Sequence, residues 1–173
     1  MTTIDIFNEL KRVLEEIPLD TSADAQGEKL FEAVELFPNR QLGAALQKLL
    51  IQKKRVCLIV PMTIRRVVNS QSGSLSVLGR KFAEVAIIYT DIAYFKAEQV
   101  VTFGSDKNLG LFSFDDKVED ALNGKEISPF GGVVLGDGDP MLLTDSEQAS
   151  AAGRSAWLLQ AFVPTGLIAA EVG

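Results

Sequence analysis

Acid–base or metal chemistry in this chain would have to come from carboxylates, because the 173 residues include no histidine and a single cysteine. The densest carboxylate group is Gly136-Asp137-Gly138-Asp139, with Asp145 and Glu147 close behind. A calcium loop uses oxygen ligands at alternating positions, a glycine and a distant glutamate. Here Met141 stands where a third ligand belongs and Pro140 breaks the spacing, so the stretch reads as a solvated turn between strands. Asp137, Asp139 and Asp145 are also the residues that a hydrolase or transferase would have to use.

Other motifs are incomplete in the same way. Gly131-Gly132-Val133-Val134-Leu135-Gly136 is glycine-rich but in the wrong order for a dinucleotide loop, and no GxxxxGK[ST] phosphate loop occurs. The two leading glycines read as a flexible entry to a strand. Gly153-Arg154-Ser155-Ala156-Trp157 begins like a nucleophile elbow, lacks the last glycine, and has no histidine to activate Ser155. Cys57 lies within Val56-Cys57-Leu58-Ile59-Val60, where an isolated thiol is packing rather than a nucleophile. Without histidine, Ser-His-Asp and Cys-His mechanisms and imidazole zinc sites are excluded. The expectation is therefore a protein that is not an enzyme, with no catalytic or metal-ligating residue and no cofactor.

Charge is distributed in blocks. Residues 1–35 carry a net −6, residues 36–114 a net +7 and residues 115–173 a net −7, within an overall −6. The basic middle, with Lys48, Lys53, Lys54, Arg55, Arg65 and Arg66, invites a nucleic-acid reading, which needs several cations on one face. Arg65 and Arg66 are adjacent and in a strand point to opposite faces, and no helix-turn-helix or RNA-binding motif accompanies them. Nucleic acid is not an expected partner. Basic and acidic blocks can instead meet between subunits. The residues nominated for such an interface are Arg65 and Arg66, with Tyr94 and Phe95 as aromatic contacts beyond a strand.

The elements that would position these groups follow from periodicity. Ile4, Phe7, Leu10, Val13, Leu14 and Ile17 mark an amphipathic helix that ends before Pro18. Residues 30–37 fit a strand or a short helix, and residues 41–52 a second helix. Residues 55–68 and 81–90 read as two strands of an antiparallel hairpin joined by a Ser/Gly-rich loop, with Pro61 marking an edge or irregularity. A third helix spans residues 114–123, with Asp115 and Asp116 at its start and Gly124 closing it. Strands at 131–135 and 141–144 flank the Asp-Gly turn, or form one interrupted strand, and the last strand, 154–163, stops at Pro164. The fold class is α+β, a mainly antiparallel sheet with helices packed on one face. One domain covers residues 1–173, with 1–37 as an N-terminal extension and 38–165 as the core.

The order of LFPNRQLGAALQKLLIQKKRVCLIVP, KFAEVAIIYTD, FDDKVEDALNG and RSAWLLQAFVPT, across most of residues 40–165, resembles the tail terminator and minor tail (tail completion) proteins of long-tailed phages. The resemblance lies in element order and strand character. It implies a structural subunit that assembles into a homo-oligomeric ring, typically a hexamer, at the head–tail joint, with other tail or head–tail joining proteins as partners. The region through Phe37 and the connection 91–112 are longer than that pattern. The alternative is a non-enzymatic ligand-binding or regulatory module with an aromatic-lined pocket between sheet and helices. The lone cysteine, the absence of a membrane span and the acidic start place the protein in a cytoplasm during assembly, and in the virion if phage-encoded.

Overall fold

The structure, a computed structural model, describes residues 1–19, 27–37, 42–69, 76–92, 110–142 and 155–171. Its elements are α1 (Thr3–Glu15), β1 (Ala33–Leu36), α2 (Leu42–Leu50), β2 (Arg55–Asn69), β3 (Ser76–Asp91), α3 (Leu111–Leu122), β4 (Glu126–Ser128), β5 (Gly131–Gly132), β6 (Val134–Leu142) and β7 (Ser155–Glu171). Five strands form one sheet in the order β1-β2-β3-β7-β6, and β4 pairs with β5 beside it. The α+β class is as the sequence implied.

α1 forms because Thr2 and Asp5 make a reciprocal capping box, which satisfies two of the N–H groups that a helix start leaves open. Ile6, Phe7, Leu10, Val13 and Leu14 are buried, whereas Ile4 is 65% exposed and does not belong to the stripe. Full burial of a leucine such as Leu10 contributes roughly 1.5–3 kcal/mol. Ile17, Leu30, Phe31 and Val34 continue the same core, so α1 and β1 pack into one cluster with the sheet.

Residues 33–36 are a strand, and β1 runs parallel to β2 with Ala33 opposite Val56. A parallel pair needs a crossover, and α2 supplies it. That requirement corrects the one-sided placement of helices. α1 and α3 pack on the face presenting Cys57, Ile59, Val85, Ile87, Tyr89, Leu159 and Ala161. α2 places Leu46 and Leu50 on the opposite face, against Val56, Leu58, Val60, Ala86 and Ile88. The sheet is mixed at that edge and antiparallel elsewhere.

β2 and β3 form the expected hairpin, with a register shift between Pro61 and Thr63 where the proline interrupts the ladder. Both strands and β7 outrun their sequence-based limits. Pro164 does not stop β7, because a register shift opposite Lys81 and Phe82 accommodates it and the strand continues to Glu171. The Asp-Gly stretch is likewise not a turn; of the two readings, the single interrupted strand is the one formed. It lies within β6, which shifts register between Leu135 and Gly138 and runs on to pair Pro140 with Trp157.

α3 starts three residues earlier than expected, at Leu111 with Gly110 as N-cap, so Asp115 and Asp116 fall beyond the first turn. Gly124 closes it with φ +74, a conformation glycine adopts without strain. The Gly131-Gly132 pair is a tight contact rather than a flexible hinge. The Gly124 N–H donates to the Val133 carbonyl at 2.8 Å, and a Cβ on Gly132 would lie 2.7 Å from the Gly124 carbonyl oxygen. Gly132→Ala should therefore destabilise the fold by roughly 1–3 kcal/mol, read as a lower urea midpoint; an unchanged midpoint would contradict this packing.

Candidate assembly interface

Among the described residues the layers cover only part of the sheet, and buried apolar side chains reach Val60 on β2, Ala83 on β3 and Pro164 on β7. Beyond them the three strands continue paired to Asn69, Ser76 and Glu171, and among the described residues no helix packs on this extension. Every residue of β2 from Pro61 to Val67 is exposed. The result is a three-stranded arm, bounded by β2 on one side and β7 on the other because β1 and β6 end before it.

The arm is basic and partly apolar. Arg65 and Arg66, nominated from the sequence, both lie on it, and Tyr94 and Phe95 lie outside the described residues. Arg65 donates from Nε to Glu84 Oε2 at 2.6 Å, and Gln160 donates to the other carboxylate oxygen at 2.6 Å. Arg65 first and Gln160 second hold the Glu84 carboxyl below its usual range. Register pairs Arg66 with Lys81 and Val67 with Arg80, and Arg80 in turn with Leu167. Val67 and Leu167 are 50% and 66% exposed, which leaves an arginine flanked by two exposed aliphatic side chains. Arg80, Lys81, Val67 and Leu167, which the sequence reading does not nominate, join Arg65 and Arg66 on the arm. A usable signal was present: Arg65-Arg66 and Arg80-Lys81 stand at matching distances on either side of the Ser/Gly loop, so a hairpin must bring them together.

The remaining basic residues lie elsewhere. Arg55 donates to the Leu30 carbonyl at 2.8 Å and lies 3.7 Å from Glu32. Ten residues of strand separate it from Arg65, roughly 33 Å at 3.3 Å per residue. Among the described residues, Arg55 and the Arg65-Arg66 pair therefore lie in two separate regions of the sheet. On α1, Lys11 and Arg12 pair with Glu15, Glu9 and Glu16, so three of the nine carboxylates of the first acidic block are answered within their own helix.

α3 is different. Phe112, Asp116, Glu119 and Asp120 are exposed and, at spacings of three and four, share one side of the helix. Asp115 faces the sheet instead, accepting from Trp157 Nε1 at 2.8 Å and Tyr89 Oη at 3.1 Å. Burial, and then the Asp115 charge, push the Tyr89 hydroxyl well above its ordinary range. Phe112 meets the Trp157 ring edge-on at 5.4 Å. Gly138 sits beneath this network, where a Cβ would come within 2.8 Å of Trp157 Nε1.

Cys57 is fully buried, and desolvation pushes its thiol up, away from the reactive thiolate. Asp137 and Asp139 line a shallow groove of about 260 Å³ with Met62, Glu84 and Gln160, while Asp145 and Glu147 lie outside the described residues. Among the described residues no group of three or more Cys, Asp or Glu could hold a metal ion. The aromatic side chains between sheet and helices pack on one another: Phe31 lies 5.5 Å from Tyr89 and 6.1 Å from Phe114, centroid to centroid. Among the described residues no helix is long and apolar enough to cross a membrane.

Asp115→Ala removes the acceptor for two buried donors and should destabilise the protein by roughly 2–4 kcal/mol. Trp157 is the only tryptophan, so the change should appear as a red-shifted emission and a lower denaturation midpoint. Unaltered emission and midpoint would show that α3 is held otherwise. No protein-family model and no curated protein matches this chain.

Proposed function

We propose that this protein is a structural subunit that works by self-association into a ring, of the tail terminator or minor tail type, at the head–tail joint of a phage or prophage tail. The observation that carries the reading is the three-stranded arm. A sheet extension that carries no covering layer and no further paired strand among the described residues, with Val67 and Leu167 exposed, is an aggregation liability unless another surface receives it. The resemblance in element order supplies the tail assignment, and the arm supplies a physical reason for assembly. Missing histidine and the inert Cys57 fit a role made of contacts rather than reactions.

The expected behaviour is an oligomer whose association weakens with salt, since charged surfaces separated by more than about 8–10 Å are screened at physiological ionic strength. Light scattering of the purified chain at low and high salt should show a defined multimer dissociating as salt rises, and negative-stain images should show rings with a central hole. A monomer at high protein concentration and low salt would overturn the proposal.

A further inference from the structure

We infer that the arm of one copy docks on α3 of a second copy, with Arg80 seated between Asp116 and Asp120 and with Val67 and Leu167 against Phe112. The inference rests on the self-assembly reading and names its contact.

The contact cannot be made within one chain. α3 is anchored through Asp115 to Tyr89 and Trp157, whereas Arg80 and Leu167 lie nine and ten residues farther along those two strands. At 3.3 Å per residue that separation is roughly 30 Å, well beyond the reach of an arginine side chain. A second copy, approaching head to tail, removes the obstacle.

Complementarity then selects α3 as the receiving surface. On the arm, Arg66, Arg80 and Lys81 have no ion-pair partner among the described residues, whereas Arg65 is engaged by Glu84. On α3, Asp116, Glu119 and Asp120 are three exposed carboxylates that likewise lack an ion-pair partner among the described residues. Asp116 and Asp120 are one helical turn apart and present two carboxylates to one guanidinium, which can bond both. Phe112 stands one turn before Asp116 and offers an apolar surface for the aliphatic pair beside Arg80. The dimensions agree: α3 is about 18 Å long at 1.5 Å per residue, and residues 63–69 of β2 extend about 23 Å.

Arm and α3 are different surfaces of one chain, so each copy both gives and receives. That geometry allows a complementary-charge experiment. Arg80→Glu alone, and Asp116→Lys/Asp120→Lys alone, should each weaken association by roughly 100-fold while keeping the wild-type circular dichroism spectrum. Mixed in equal amounts, the two variants should recover the wild-type mass by light scattering, because each altered arm meets an altered helix and each native arm a native helix. A multimer unaffected by either variant, or a mixture of folded variants that stays dissociated, would overturn this contact and leave self-assembly standing. A wild-type chain that is monomeric at low salt would overturn both.

Discussion

The whole molecule depends on β3 being paired on both sides along nearly its full length. β2 pairs with it from Leu78 to Asp91 and β7 from Ser76 to Tyr89, so both flanks are occupied between Leu78 and Tyr89. A central strand of that length would normally lie between layers over its whole extent. Here, among the described residues, the layers end at Ala83, and what remains is a sheet one layer thick. Pairing keeps the backbone of the central strand satisfied, but it leaves aliphatic and basic side chains in water. The arm is thus stable as hydrogen-bonded structure and incomplete as a hydrophobic one.

The body supplies the fixed frame from which the arm projects. Asp115 is a polar tie between the helical layer and the sheet, since one carboxylate oxygen accepts from both Tyr89 and Trp157. The glycine at 138 lets β6 close over that pair, and Gly132 lets the β4–β5 hairpin press against the end of α3. The result of these contacts is that α3 turns its other side, with Asp116, Glu119 and Asp120, outward. Inner and outer carboxylates on the same helix therefore have separate roles, one in folding and the rest as surface charge.

Much of this was legible in the sequence, for identifiable reasons. The period of α1, the hairpin of β2 and β3, and the inert placement of Cys57 follow from side-chain patterning alone. The orientation of β1 did not, because a four-residue strand has too little pattern to show whether its neighbour runs parallel. That also concealed α2's position on the opposite face. Asp137 and Asp139 resembled a turn because Gly and Asp disfavour strands, but pairing with β7 overrode local preference. Arg65 and Arg66 were found from their charge. Their counterparts Arg80 and Lys81 required the register of the hairpin, and the receiving carboxylates required knowing which side of α3 is buried.

If the arm is covered on assembly, its backbone amides report this directly. Hydrogen exchange of the full-length protein, followed by mass spectrometry at an assembling concentration and after dilution or added salt, compares the two conditions in one molecule. The account predicts slower exchange for residues 63–69 and 166–171 and for the exposed turns of α3 in the assembled state, with residues 56–60 unchanged. Equal exchange of the arm in multimer and monomer would contradict it.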